Sequence, residues 1–370
     1  MRVPFLDLHA GYSELKSQVD TAIARVSQSG WYVLGPEVEA FEQSFAGYCE
    51  ATSCVGVANG LDALHIGLLA LGIGPGDEVI VPSNTYIATW LAVTQAGAKV
   101  VPVEPDPLTH NIDPALIEQA ITSRTRAILP VHLYGLPADM DAICQIAARH
   151  GLAVLEDAAQ AHGARYKGRR IGSHGDLVAW SFYPSKNLGA MGDAGGLTLR
   201  EGALADKIRA LRNYGSARRY VNEVRGLNSR LDPIQAAVLG TKLQVLDEWN
   251  ERRAQTARYY QEHLGQATRL TLPVEPKGTL CAWHLFVVRH PDRDHLHKAL
   301  ADRGVDTLIH YPIAPHLQQA YADLGLKKGA LPIAERLADE VLSLPIGPHI
   351  TPEQRRRVVE AVLEVEGLSC

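Results

Sequence analysis

Short apolar runs recur along the chain, separated by stretches in which apolar residues repeat at helical spacing. Strands buried on both faces are predicted at residues 54–58, 78–81, 99–103, 127–131 and 152–155. The stretches between them predict helices, for example at residues 61–71. Strands and helices that alternate at this spacing are typical of a parallel, doubly wound sheet. The pattern therefore predicts an α/β fold with a mostly parallel sheet between layers of helices.

The length of the chain, 370 residues, is sufficient for two domains. A long helix is predicted from Pro233 to about His263, and the segment after Thr271 again alternates short strands with helices. We therefore place a domain boundary in this helix. The prediction is a large domain over residues 1–248, which begins with a helical segment, and a small α/β domain over residues 249–370.

Composition and charge exclude several functional classes. The chain has 36 basic and 41 acidic residues, a net charge of −5 and no basic block, so a nucleic-acid partner is not expected. No apolar stretch has the length of a membrane span or a signal peptide, so no membrane association is expected. The five cysteines are scattered, and His295 and His297 lack the further ligands of a metal site. These patterns predict a cytoplasmic protein without disulfides or a metal ion.

Two segments carry the residues with the most distinctive chemistry. Lys186 lies in a polar turn that follows a predicted strand and precedes four glycines, and Asp157 lies at the carboxyl end of the strand at 152–155. A lysine in a turn is ordinarily only a solvated charge. However, ligands of open α/β sheets bind at the carboxyl ends of the strands, and pyridoxal phosphate (PLP) sites pair one lysine with an aspartate. Together the two residues predict a PLP site.

Three further segments fit such a site, and each also has an ordinary structural explanation. The Asn59–Gly60 turn before a helix suits a phosphate, although it is also an ordinary helix cap. Tyr86 follows a strand and is placed either to stack on the pyridine ring or to pack in the core. The loop at residues 212–230 is polar and basic. From Asn213 onward it holds four arginines and two tyrosines, which suit a pyrophosphate, a subunit contact or a solvated face.

The motifs together resemble those of one family. They are Asp157-x-x-Gln160-x-His162-Gly163, Ser181-x-x-x-x-Lys186-x-x-Gly189-x-x-Gly192, Asn59-Gly60 and Asn228-Ser-Arg230. With them the chain resembles, from residue 3 to residue 347, the DegT/DnrJ/EryC1/StrS family of nucleotide-sugar aminotransferases, which are fold-type I PLP enzymes. Segments 83–89, 182–188 and 310–312 are most similar to the branch that acts at C3 of dTDP-3-keto-6-deoxyhexoses. The C4 branch more often carries histidine where Tyr183 or Pro184 stands here.

The resemblance implies a role for each matching residue. Lys186 would form the Schiff base and move protons, and Asp157 would keep the pyridine nitrogen protonated. Gln160 would face the ring hydroxyl, and Tyr86 would stack on the ring. The expected phosphate contacts are Gly60, Leu61, Ser181 and, from the second subunit of a dimer, Asn228. The expected substrate contacts are Tyr183, His162, Arg219, Tyr220, His310 and Tyr311.

The resemblance also implies a reaction. Glutamate would convert PLP to pyridoxamine phosphate, which would pass the amino group to the C3 ketone of a dTDP-3-keto-6-deoxyhexose and give a 3-amino-3,6-dideoxy sugar. Two separate half-reactions predict ping-pong kinetics, in a homodimer with shared active sites. The alternatives are a C4-aminotransferase, an amino-acid aminotransferase and a catalytically silent PLP-binding regulator. Lys186 argues against the sugar dehydratase branch of the family, which carries histidine at that position.

Overall fold

The computed structural model describes residues 1–200, 202–218 and 220–368. The helices in this part of the chain are α1 (Leu8–Glu14), α2 (Lys16–Ser29), α3 (Pro36–Tyr48), α4 (Gly60–Ala70), α5 (Ile87–Gln95), α6 (Met140–His150), α7 (Gly202–Leu211), α8 (Pro233–Leu243), α9 (Leu246–Leu264), α10 (Arg293–Asp302), α11 (Pro332–Glu340) and α12 (Pro352–Val365). The strands are β1 (Ser53–Val57), β2 (Glu78–Pro82), β3 (Lys99–Val103), β4 (Thr125–Ile128), β5 (Ala153–Asp157), β6 (Arg165–Tyr166), β7 (Arg169–Arg170), β8 (Leu177–Ser181), β9 (Gly195–Leu199), β10 (Ser216–Arg218), β11 (Val221–Asn222), β12 (Thr279–Leu280), β13 (Phe286–Arg289) and β14 (Val341–Leu344).

The main sheet contains, among the described residues, seven strands in the order β1-β9-β8-β5-β4-β2-β3. Strands β3, β2, β4, β5 and β8 run parallel to one another, whereas β9 runs antiparallel between β8 and β1. Helix α5 connects β2 to β3, and α6 connects β4 to β5, because two parallel strands need a crossover connection rather than a tight turn. The predicted α/β fold with a mostly parallel sheet is confirmed.

Both faces of the sheet are buried. Because successive side chains of a strand point to opposite sides, each strand contributes residues to two cores. In β8, Val178 and Trp180 pack into one core, which contains the aromatic rings of Phe45 and Phe182. Leu177 and Ala179 pack into the other core, under α4 and α5. Burial on both sides explains why the strands appear in the sequence as unbroken apolar runs.

The carboxyl ends of the parallel strands meet at one edge of the sheet. Strand β5 ends in Asp157, and β8 ends in Ser181, five residues before Lys186. The turn after β2 leads to Tyr86, the residue that precedes α5. Because Leu155 packs into the core under α4 and α5, Asp157, two residues later, lies on that same face.

The helix predicted from Pro233 to His263 is two helices. Helix α8 ends at Leu243, and α9 begins at Leu246. The N–H of Gln244 donates to the carbonyl of Thr241, and the N–H of Val245 donates to that of Lys242, so the last turn of α8 tightens and the helical ladder stops. The prediction of a single helix was therefore wrong.

The C-terminal part of the chain builds a third core. Its residues come from α9, α10, α12, β13 and β14. Val3 at the N-terminus also packs there, beside Val305. The domain boundary at residues 248 and 249 falls in the first turn of α9 and stays a prediction. In the described part of the chain, no helix is both long enough and apolar enough to cross a membrane.

Candidate active site

A cavity of about 550 Å³ opens at the carboxyl edge of the sheet. It lies between the strand ends, the N-termini of α4 and α5, and the segment that contains His310. The predicted site residues that line it are Gly60, Leu61, Tyr86, Asp157, Gln160, Ser181, Tyr183, Lys186, His310 and Tyr311. The chain therefore brings together residues from five separate segments, as the parallel topology predicts.

Asp157 is held by hydrogen bonds at both carboxylate oxygens. Oδ1 accepts from the backbone N–H of Ala159 at 3.1 Å, and Oδ2 accepts from Thr89 Oγ1 at 2.9 Å. Burial raises the pKa of Asp157, and these two donors together with the charge of Lys186 oppose that rise. The donors favour the ionised form. The carboxylate is thus an oriented, desolvated acceptor, suited to hold a protonated ring nitrogen.

Lys186 lies in the turn after β8, and its backbone N–H donates to the carbonyl of Tyr183 at 2.8 Å. The turn closes tightly, since a Cβ added to Gly189 would lie 2.3 Å from the carbonyl oxygen of Pro184. Burial lowers the pKa of Lys186 to about 8, although the negative charge of Asp157 opposes the shift. A substantial fraction of the amine is therefore neutral near physiological pH, which a nucleophile toward a carbonyl requires.

The first turn of α4 forms a cradle next to Ser181. Asn59 caps the helix, because its side chain accepts from Asp62 N and its carbonyl accepts from Ala63 N. The N–H groups of Gly60 and Leu61 take no part in these two bonds, and both residues line the cavity. A Cβ added to Gly60 would lie 2.6 Å from Ser181 Cβ. The cradle thus requires glycine, and its amides suit a phosphate.

An aromatic and amide wall closes another side of the cavity. Gln160 Oε1 accepts from Tyr134 N at 2.5 Å, and Gln160 Nε2 donates to Tyr311 Oη at 3.1 Å. The ring centroids of Tyr311 and Tyr86 are 5.1 Å apart. Tyr134 Oη donates in turn to the carbonyl of His310. Tyr86 is 54% exposed, which favours the stacking interpretation over core packing, and its role on the ring stays a prediction.

His162 does not reach the cavity. It is fully buried, with its ring centroid 5.1 Å from that of Trp180 and 5.6 Å from that of Phe182. Burial lowers the pKa of His162 to about 3, so the ring is neutral at physiological pH. The prediction that His162 contacts the substrate is therefore corrected, because after Asp157 the chain turns this side chain into the core behind β8.

Two of the three predicted residues of the polar segment are described, and both lie outside the cavity. Asn228 and Tyr220 are exposed and do not line the cavity of their own chain. Within the part of this segment that the structure describes, β10 and β11 pair as a short antiparallel hairpin. Arg219, between these strands, lies outside the described residues. The roles of all three stay predictions, since they concern a second subunit or a bound substrate.

Several polar residues of the site were not predicted, among them Thr85, Thr89 and His284. Thr85 lies just before α5 and Thr89 lies in its first turn, and their hydroxyl oxygens are 2.9 Å from each other. His284 lines the cavity from the segment before β13. The two threonines have a weak sequence signal, the spacing of one helical turn directly after a strand. His284 has none, because it meets Asn187 across 97 residues of sequence.

A model of the DegT/DnrJ/EryC1/StrS aminotransferase family matches residues 13–363. The chain belongs to this family. It is 60% identical over 359 residues to the erythromycin biosynthesis sensory transduction protein EryC1 of Saccharopolyspora erythraea, covering 97% of this chain and 98% of that protein. It is 56% identical over 363 residues to the dTDP-3-amino-3,4,6-trideoxy-alpha-D-glucose transaminase of Streptomyces venezuelae, covering 98% and 96% of the two chains.

A crystal structure of S. venezuelae DesV in complex with a ketimine intermediate is similar to this aminotransferase along its whole length. The TM-score is 0.98 at 56% sequence identity, and the match covers 100% of both chains. The cofactor of the aminotransferase is pyridoxal phosphate, as the sequence predicts. The residues fit this cofactor, because the cavity combines a buried acceptor at Asp157, an amine of lowered pKa at Lys186 and the cradle at Gly60. The individual contacts stay predictions.

Proposed function

We propose that this aminotransferase moves the amino group of glutamate to the C3 ketone of a dTDP-linked 3-keto-6-deoxyhexose and so forms a deoxyamino sugar. The observation that carries the proposal is the placement of Lys186 and Asp157 in one cavity at the carboxyl edge of the sheet. The substrate class is inferred from the 56% identity to a dTDP-3-amino-3,4,6-trideoxy-alpha-D-glucose transaminase over 98% of the chain. The geometry supports amino transfer, and the similarity supports a nucleotide-linked sugar as the acceptor.

Lys186 and Asp157 have separate roles in the proposed reaction. Bound PLP supplies an electron sink and carries the amino group between the two substrates. Lys186 Nζ, partly neutral because burial lowers its pKa to about 8, takes a proton from the carbon of the amino donor and delivers one to the sugar carbon. Asp157 holds the protonated pyridine nitrogen in a buried setting, where a charged hydrogen bond is strong.

We assign the remaining contacts to a second copy of the chain. Asn228 and Tyr220 are exposed and lie outside the cavity of their own chain. Both residues are therefore available to contact the active site of a second subunit. Arg219, between β10 and β11, would add a cation that suits a pyrophosphate. The proposed enzyme is thus a homodimer with shared active sites, and we place it in the cytoplasm.

Our choice of C3 over C4 as the site of amination is based on Tyr183, which lines the cavity near Lys186. Tyr183 lines the cavity and is 54% exposed, so it is available to a sugar in the position where the C4 branch more often carries histidine. We therefore propose C3 as the site of amination and keep C4 as the alternative. An amino-acid substrate is a weaker candidate, because the transaminase from Streptomyces venezuelae, at 56% identity, is named for a nucleotide sugar.

A non-catalytic role is the second candidate, favoured by one observation. The relative from Saccharopolyspora erythraea, at 60% identity, is called a sensory transduction protein. A regulator that only binds PLP has no need for an amine of lowered pKa beside an oriented carboxylate, and this cavity contains both. We therefore give catalysis priority, and the experiment below separates the two.

The test is product formation from defined substrates. Purified protein with PLP and glutamate is offered dTDP-3-keto-6-deoxy and dTDP-3-keto-4,6-dideoxy sugars, and the products are examined by mass spectrometry and NMR. The proposal predicts an amine at C3 and an equal amount of 2-oxoglutarate. Amination of a dTDP-4-keto sugar alone would support the alternative regiochemistry. Turnover of 2-oxo acids alone would support an amino-acid enzyme, and PLP binding without any turnover would support the regulator.

A further inference from the structure

His284 lies in the wall of the cavity that contains Lys186, and it is 7% exposed. It follows Trp283, a buried residue with a φ of +48°, which is a conformation that few non-glycine residues adopt. Such strain persists only where the surroundings impose it, and it concentrates at functional sites. The strained residue sets the direction in which the next side chain leaves the backbone. The strain at Trp283 and the position of His284 in the cavity wall together indicate that His284 takes part in the function of the site.

The main chain of His284 is also held from three sides. The buried guanidinium of Arg253 donates to the carbonyl of His284 at 3.3 Å. The N–H of the following residue, Leu285, donates to the carbonyl of Tyr134 at 3.2 Å. Gly135 lies so close that a Cβ there would be 2.9 Å from His284 N. The imidazole is therefore presented from a rigid part of the wall.

A chain of amide groups fixes the proton on the His284 ring. Asn250 Nδ2 donates to the carbonyl of His162, so Asn250 Oδ1 is the atom that accepts from Asn187 Nδ2. Asn187 Nδ2 also donates to the carbonyl of Ala282 at 2.7 Å, which leaves Asn187 Oδ1 facing His284 Nδ1 at 3.1 Å. An amide oxygen only accepts, so His284 Nδ1 carries the proton.

The other ring nitrogen is consequently an acceptor. Burial lowers the pKa of His284 well below its usual range, and the nearby cations Lys186 and Arg253 lower it further. The ring is therefore neutral, with hydrogen on Nδ1 and a lone pair on Nε2. In a cavity that binds a substrate, an uncharged acceptor selects a hydrogen-bond donor.

We propose that His284 Nε2 accepts a hydrogen bond from the C2 hydroxyl of the keto-sugar and thereby positions the adjacent C3 ketone beside Lys186. The inference rests on the proposed function. The carboxylates of glutamate and the oxygens of a pyrophosphate are themselves acceptors, so a neutral imidazole nitrogen gives them nothing, and the amino group of glutamate is the group that reacts with the cofactor. A sugar hydroxyl can donate. In the 3-amino-3,4,6-trideoxy sugar for which the S. venezuelae relative is named, the C2 hydroxyl is the free hydroxyl on the ring, and a 6-deoxyhexose carries this hydroxyl as well.

The test measures the two half-reactions separately, with His284→Phe as the variant. Loss of one buried acceptor should slow the reaction with the keto-sugar roughly 10-fold to 100-fold. The reaction with glutamate, followed by the absorbance of the cofactor, should retain its rate, which also shows that the variant is folded. His284→Gln, which places an amide near the position of Nε2, should recover part of the loss. His295→Phe, the same change at an exposed position on α10, is the matched control.

A second substrate tests the hydroxyl itself. The wild-type enzyme should use the 2-deoxy analogue of the keto-sugar roughly 10-fold to 100-fold less efficiently, whereas His284→Phe should not distinguish the two sugars. Equal slowing of both half-reactions would overturn the inference, since His284 would then act on Lys186. Equal use of both sugars by the wild type would also overturn it, even if neither variant folds. A wild type that accepts no dTDP-keto sugar would instead refute the proposed function.

Discussion

Thr89 donates a hydrogen bond from Oγ1 to Asp157 Oδ2 at 2.9 Å, from the first turn of α5. Because the carboxylate can only accept, the hydroxyl of Thr89 is committed to it, and the oxygen of Thr89 accepts in turn from Thr85. Both threonines are buried, so water does not compete for these bonds. The relay fixes the orientation of the carboxylate that we assign to the pyridine nitrogen. Thr89 is thus a positioning residue that acts through Asp157.

Replacement of Thr89 by Val should weaken the hold on the cofactor. Loss of a buried hydrogen bond to a carboxylate costs roughly 1.5–3 kcal/mol, so the dissociation constant of PLP should rise roughly 10-fold to 100-fold. The absorbance of bound PLP should also shift, since Asp157 no longer orients the ring nitrogen. Thr89→Ser, which keeps the hydroxyl, should restore both properties. Thr94→Val, which removes a hydroxyl elsewhere on α5, should change neither.

The pKa of Lys186 predicts how fast the cofactor-free protein takes up PLP at each pH. Burial lowers this pKa to about 8, and only the neutral amine attacks a carbonyl. The rate should rise about tenfold per pH unit below about pH 8 and then level off. Stopped-flow absorbance from about pH 6.5 to about pH 10 provides the measurement. A rate that keeps rising to the upper limit would mean that the amine has an ordinary pKa.

Gly60→Ala should disrupt the proposed phosphate cradle. The new Cβ would lie 2.6 Å from Ser181 Cβ, so either the first turn of α4 or the end of β8 must move. Overpacking of this kind costs about 1–3 kcal/mol, which predicts a clear rise in the dissociation constant of PLP. Gly47→Ala, at an exposed position in α3 with open space around it, is the control. Gly47→Ala should leave PLP binding unchanged. If Gly60→Ala also bound PLP with unaltered affinity, the first turn of α4 would not be the phosphate site.

Arg212→Met should destabilise the fold. The guanidinium is buried, pairs with Glu42, and donates to the carbonyl of Gly56 at 2.7 Å. Its loss leaves a buried carboxylate without a cation, which costs about 3–5 kcal/mol in the free energy of unfolding. Arg209→Met, on α7 three residues before Arg212, removes a solvent-exposed pair with Asp206 and should cost less than about 1 kcal/mol. Denaturant titration of both variants measures the difference, and equal stabilities would contradict the structural role.

Much of the sheet could be predicted because its strands are buried on both faces. Such strands appear as apolar runs, and their carboxyl ends locate Asp157 and Lys186 at one edge without any knowledge of packing. The break between α8 and α9 was not predicted, because the sequence there contains neither glycine nor proline to mark it.

The rest of the site depends on contacts that no local pattern encodes. His162 is five residues after Asp157, yet it packs between Trp180 and Phe182 in the core. Thr89 meets Asp157 across 68 residues of sequence, and His284 meets Asn187 across 97. Side chains of this kind take their roles from tertiary packing, which residue spacing alone does not show.

The central claim is most directly tested by the absorbance of the purified protein during a stepwise titration. We predict a near-visible band of bound PLP that glutamate removes and that a dTDP-3-keto-6-deoxy sugar then restores. The same titration of Lys186→Ala should show neither change. A band that glutamate leaves intact, or that no dTDP-keto sugar brings back, would contradict the account.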